Sequence, residues 1–178
     1  MGYVEGFDII YRVGIKYLFI EEPEPLETIS VNAEGEEKGS TGPHRIEMER
    51  WISCAPFERL LHLSIVDAVD GRATLTMPFL VDLAQGSGLL HGGALVSLAD
   101  TAVVMAIKSL LPEGTHFATV SMDVKFLYPV KQGTVTARAL AARGEGRSIE
   151  GRAILYNEEE RVVLEFTSLF KIARDRQI

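Results

Sequence analysis

Residues Gly92–Leu111 form a twenty-residue segment in which apolar or small side chains stand on nearly every side, closed by Pro112 and Gly114. A helix with no face for water either crosses a membrane or is enclosed by the rest of its own protein. The wider apolar run Leu89–Leu111 carries His91, Asp100 and Lys108, ionisable groups that argue against a span. The helix must therefore be buried, and the remaining sequence has to supply what surrounds it.

Strands are what the remaining sequence offers. After the helix come Phe117–Tyr128, Thr134–Arg143, Arg147–Asn157 and Arg161–Ile172, alternating segments separated by turns at 129–133, 144–146 and 158–160. In the first of these, Val120, Met122, Val124 and Phe126 are predicted to face one way, and Thr119, Ser121, Asp123 and Lys125 the other. Before the helix, Leu61–Val69 and Arg72–Phe79 flank Asp70-Gly71, the signature of a tight hairpin. Leu80–Leu90 reads as a glycine-containing loop. Upstream, Met48, Trp51, Ile52, Ala55, Leu60 and Leu61 suggest a helical pattern that Pro56 ends or bends. The economical architecture is α+β, one antiparallel sheet of about six strands wrapped round one long central helix.

With 178 residues, the chain has room for one domain and an extension. Its formal charge is −7, with 25 acids and 18 bases. A nucleic-acid binder needs a local excess of Lys and Arg, so that class is excluded. The acidity is also uneven, because residues 1–45 hold nine acids and four bases, leaving 16 acids and 14 bases for residues 46–178. Alternation over 11–19 suggests a strand, and 21–44, with seven glutamates among Pro, Gly and Ser, reads as an acidic linker. The division expected is an extension over 1–45 and a nearly neutral domain over 46–178. The single cysteine, Cys54, forms no intrachain disulfide and is expected to be a small buried group; no metal site is expected. The absence of a signal sequence makes the cytoplasm the expected compartment.

Two features of the central helix carry chemistry. Asp100 sits among Leu98, Ala99, Ala102, Val103 and Val104. A carboxylate in apolar surroundings is costly, and three readings compete for it: a pair with Arg or Lys from a strand, a narrow polar stripe of Ser97, Asp100, Thr101 and Lys108, or a catalytic group. The helix opens on His91-Gly92-Gly93, where backbone N–H groups lack intrahelical partners and glycine lets a substrate approach closely. Such an end stabilises a carbonyl oxygen becoming an oxyanion. A tight loop into the helix is the competing meaning of Gly-Gly, and capping the competing meaning of His91.

Read together, His91-Gly92-Gly93-Ala94-Leu95-Val96-Ser97-Leu98-Ala99-Asp100-Thr101-Ala102 strongly resembles the HGG-x₆-D motif of hot-dog-fold acyl-CoA thioesterases of the PaaI-like, phenylacetic acid degradation type. Thr119–Phe126, Tyr128-Pro129 and Gly133 also resemble that family, and the likeness spans roughly residues 46–172. It implies a hot-dog fold and hydrolysis of acyl-CoA thioesters to free acid and coenzyme A, which is substrate rather than cofactor. By the same resemblance Asp100 is the nucleophile or general base, and the Gly92 N–H polarises the thioester carbonyl beside His91 and Gly93. Gln85, six residues before His91, is the assisting amide, and Thr119, with Ser121 as the other hydroxyl, stands near the scissile bond. Arg143 and Arg147 would meet coenzyme A phosphates, with Lys125 and Lys131 as weaker donors. The implied assembly is a homodimer with two sites at its interface, or a dimer of dimers. Rival readings are a non-catalytic acyl-CoA or small-ligand binding module and an enoyl-CoA hydratase.

Overall fold

A computed structural model describes residues 13–14 and 46–174. The linker 21–44 and most of the expected strand 11–19 lie outside the described residues. In chain order the elements are β1 (Val13–Gly14), α1 (Pro56–Leu60), β2 (Ser64–Val69), β3 (Arg72–Pro78), α2 (Gly92–Leu110), β4 (Phe117–Phe126), β5 (Thr134–Arg143), β6 (Ser148–Tyr156) and β7 (Val162–Ile172). All strand pairs are antiparallel, in the order β1-β4-β7-β6-β5-β3-β2. Six strands form the main sheet, and the two residues of β1 add to its β4 edge at Met122 and Ser121.

Residue chemistry explains most of these boundaries. Asp70 (φ 47°) and Gly71 (φ 76°) make the left-handed pair of a tight hairpin turn between β2 and β3. Gly71 is required twice over, because a Cβ there would stand 2.8 Å from the Ala141 carbonyl. Pro56 behaves differently from the expectation above. It opens α1 rather than closing a helix, since at the first helical position the missing N–H costs nothing. Residues 49–53 form bends. Cys54 is half-buried, and its Sγ donates to the Leu63 carbonyl at 3.5 Å.

α2 packs on the concave face of the sheet, chiefly over β3, β5 and β6. Ten of its 19 residues are buried, among them Leu98, Ala102, Val103, Ala106 and Ile107. They meet Leu75, Met77, Val135, Ala137, Ile149, Leu155 and Phe166 from the strands. By length and composition alone the helix would suit a membrane, yet its apolar surface is spent on this core. Its path leaves β4 uncovered at one side, so a trough opens between the helix and that strand.

Candidate active site

The loop before α2 is clamped at both ends of its last turn. The Leu90 N–H donates to the Val130 carbonyl at 2.9 Å and the His91 N–H to the Leu83 carbonyl at 2.8 Å. His91 is extended and caps the helix, its Nδ1 accepting the Gly93 N–H at 2.9 Å while its carbonyl takes the N–H groups of Ala94 and Leu95. Of these first amides, only that of Gly92 has no acceptor among the described residues. The Phe126 ring lies against the same glycine, where a Cβ would come within 3.1 Å of it. His91 thus serves the site by directing the helix start, and an Nδ1 that accepts leaves the ring proton on Nε2.

Gln85 is half-buried in the same loop. Its Oε1 accepts from the Ser87 N–H at 2.9 Å and from the Ser87 hydroxyl at 2.8 Å, which orients the amide and leaves Nε2 as a donor.

Asp100 lies two turns further along α2. None of the ion pairs among the described residues involves it, which removes the pairing reading; of the supposed polar stripe Thr101 turns inward, at 6% exposed, whereas Ser97, Asp100 and Lys108 are half-buried on one side of the helix. Burial pushes its carboxyl from the ordinary 3.8 up to about 6, the Thr119 hydroxyl pulls the other way, and the Glu58 carboxylate adds to the rise. The Thr119 Oγ1 donates to Asp100 Oδ1 across a long 3.5 Å.

Thr119 reaches Asp100 because β4 is bulged. Pairing with β7 shifts between Thr119 and Ser121, leaving Val120 as the extra residue. Phe117 and Thr119 therefore turn inward before the bulge, and Met122 and Val124 after it. Strict alternation had assigned Val120 to the Met122 face; it is instead exposed, and Thr119 takes the inward place. Ser121 is half-buried at the bulge.

The trough beside Asp100 is a cavity of about 290 Å³ whose lining includes Trp51, Val104, Lys108, Phe117, Thr119 and Phe170. Trp51 is held by its indole N–H on the Lys108 carbonyl at 2.9 Å, and the Lys108 ammonium lies 5.0 Å from the centre of the Trp51 ring. Glu58, from α1, has a buried Oε2 with no partner among the described residues. Neither Trp51 nor Glu58 was legible as a site residue, since both come from the irregular stretch around the five-residue α1.

The basic candidates divide between the two ends of α2. Arg143 and Arg147 flank the β5–β6 turn, and the Arg147 guanidinium donates to the Ile172 carbonyl at 2.8 Å. That turn belongs with the carboxyl end of α2, where Gly71 packs on Leu110 and Ala141. The structure therefore does not bring Arg143 and Arg147 to Gly92. Lys125, beside Phe126 and 4.0 Å from Glu165, and Lys131, beside Val130, stand at the Gly92 end.

The chain is similar to proteins already characterised by sequence or structure. A family profile described as "Thioesterase superfamily" matches residues 87–164, which include the helix start, Asp100 and the β4 bulge. A Bacillus subtilis protein provisionally named esterase ComA2 is 33% identical over 105 residues, 58% of this chain and 82% of that one. The chain belongs to the thioesterase superfamily. A provisionally named esterase of Halobacterium salinarum is 35% identical to this superfamily member over 88 residues, 47% of this chain and 58% of the relative's length. The Escherichia coli PaaI protein of the phenylacetic acid degradation operon superposes with a TM-score of 0.62 at 26% identity, covering 67% of this chain and 86% of that one. This thioesterase-superfamily chain has the hot-dog fold: a six-strand antiparallel sheet around one long helix.

Proposed function

We infer that the protein hydrolyses acyl-CoA thioesters to a free acid and coenzyme A. The observation that carries this reading is Asp100, a largely buried carboxylate in no ion pair among the described residues, beside the Thr119 hydroxyl. In its ionised form Asp100 attacks the thioester carbonyl carbon, expelling the thiolate of coenzyme A and leaving a mixed anhydride that water then cleaves to the free acid, or it removes a proton from a water that attacks the same carbon and expels the thiolate directly. The unpartnered Gly92 N–H, at the positive end of α2, stabilises the oxyanion, and the Gln85 Nε2 assists it. Lys125 and Lys131 meet the coenzyme A phosphates at that end, and Arg143 and Arg147 act at the other.

Spacing supports a site built from two copies. Eight residues separate Gly92 from Asp100, about 12 Å of helix at ~1.5 Å per residue. The attacking group must come within ~3–3.5 Å of the carbon whose oxygen the N–H holds. One protomer does not place both groups on one thioester, whereas two α2 helices running antiparallel about a two-fold axis set the Gly92 of each beside the Asp100 of the other. The β4 edge, with exposed Val120, Phe126, Leu127 and Tyr128, is the surface for such a homodimer, and pairing of dimers adds a second interface. A cytoplasmic location belongs to the same reading.

Thiol release from a panel of short, medium and aryl acyl-CoA esters tests the function. Turnover is expected with the wild-type chain, and at least a hundredfold loss with Asp100→Asn, whose neutral amide is neither nucleophile nor base. Saturable binding without release across the panel would replace the enzyme by a binding module.

A further inference from the structure

The trough beside Asp100 ends on a positive charge, and that charge selects what fills it. Asp100, Val104 and Lys108 are spaced at four residues and share one face of α2; Val104 and Lys108 line the cavity, and Thr119, whose hydroxyl meets the Asp100 carboxylate at 3.5 Å, lines it as well. Val104, Phe117 and Phe170 supply apolar wall, and Thr115 and Thr119 add hydroxyls to it. A volume of about 290 Å³ stands at the small end of ligand pockets, suited to a short acyl group rather than a long chain.

Lys108 is half-buried, and burial lowers its pKa while the Glu58 carboxylate acts to keep it charged. Glu58 itself does not line the trough and is not in ion-pair contact with Lys108. The ammonium has no salt bridge and donates no side-chain hydrogen bond among the described residues, and it lies 5.0 Å from the centre of the Trp51 ring. A partly desolvated cation without an acceptor is costly, and a neutral acyl group in the trough would deepen that cost. An anion at the far end of the acyl group removes it. His116, on the rim beside Lys108, is a second donor.

We propose that the preferred substrates are monothioesters of short dicarboxylic acids, with the thioester carbonyl at Asp100 and the free ω-carboxylate on Lys108. This rests on the acyl-CoA hydrolase reading above and adds the substrate class. The direction of the lysine agrees with it, because helical side chains lean toward the amino end of their helix, here toward Asp100.

The test compares thiol release by the full chain from glutaryl-, adipyl- and suberyl-CoA with that from pentanoyl-, hexanoyl- and octanoyl-CoA. At least one ω-carboxyl substrate is expected to exceed its neutral match by tenfold or more in kcat/KM, mostly through KM. That ratio should fall toward one in Lys108→Met and recover in Lys108→Arg, a pattern that a packing role for Lys108 on Trp51 does not produce. A wild-type enzyme that hydrolyses the neutral esters equally well or better overturns the dicarboxylate assignment and leaves the hydrolase reading standing. A ratio that survives in Lys108→Met overturns the role of Lys108. Release from none of the six, nor from aryl esters, overturns the hydrolase reading and this inference with it. If Lys108→Met does not fold, Lys108→Gln replaces it, and the wild-type ratio alone still decides the substrate class.

Discussion

Asp100 ties function to stability with opposite signs. Its folded pKa of about 6 lies above the ordinary 3.8, so its contribution to stability is fully present below 3.8 and is lost as pH rises through about 6. Above that pH the ionised group costs the fold at most about 3 kcal/mol, from ~1.4 kcal/mol per pKa unit. Asp100→Asn should therefore be inactive and also more stable to urea at pH 8, with the gain shrinking toward pH 4. A variant no more stable at pH 8 than the wild type would show that the carboxylate is not strained. Because the ionised form is the reactive one, kcat/KM should rise with pH along a limb near 6 and then level off; a flat profile between pH 5 and 7 would contradict it. Asp100 and the His-Gly-Gly start were legible as local anomalies, a carboxylate in an apolar run and two glycines at a helix start, while their roles came from the resemblance to the HGG-x₆-D motif and not from spacing. Lys108 shares the Asp100 face by helical spacing, whereas Glu58 and Trp51 were not legible as partners, because their proximity is made by chain folding and not by spacing.

Among the elements, α2 and β6 meet at a point with no spare volume. A Cβ on Gly151 would collide with the Val103 side chain and crowd the Ser168 hydroxyl, whose oxygen is buried with no partner among the described residues. Gly151→Ala should lower stability by about 1–3 kcal/mol, the usual cost of overpacking, read as a reduced urea midpoint with an unchanged slope. Strand and helix boundaries were nearly all visible in the sequence, because alternation, the Asp-Gly turn and Pro112 are short-range signals. β4 was the exception. Its bulge at Val120 arises from pairing with β7, so the facing of Thr119 depends on a neighbour about fifty residues away in sequence. Pro56 misled for a similar reason, since a proline is equally at home just inside a helix start and just beyond a helix end.

For the whole molecule, the composite site makes a quantitative prediction. Gly92→Pro removes the N–H at issue and asks the Phe126 ring, 3.1 Å from the new Cβ, to give by a few tenths of an ångström; the helix is kept, because proline is favoured at the first helical position and His91 (φ −64°, ψ 133°) already has the backbone a following proline requires. Gly92→Pro and Asp100→Asn should each be inactive alone. Co-refolded at equal amounts they should regain roughly a quarter of wild-type activity, since half of random dimers are mixed and each holds one intact site. No recovery in demonstrably mixed dimers would place the whole site in one protomer. The amino-terminal extension bears on the same edge, because β1 occupies β4 at Met122 and Ser121. Removing residues 1–45 should leave thioester hydrolysis largely intact and self-association equal or stronger, measured by sedimentation; loss of the dimer would make the extension part of the interface.

The sequence by itself determined the class of fold, the buried central helix, the order of elements and the two places where chemistry is anomalous, Asp100 and the His91-Gly92-Gly93 helix start. Each of these follows from interactions between residues close along the chain, whose periodicity and turn chemistry are written locally. Tertiary structure decided that Thr119 faces Asp100, that Trp51 and Lys108 close the trough, and that Arg143 and Arg147 stand at the far end of α2 from Gly92. Those facts depend on sheet register, on a single bulge and on where the helix lies across the strands. They are long-range packing outcomes, reached only when the buried face of α2 finds its cover.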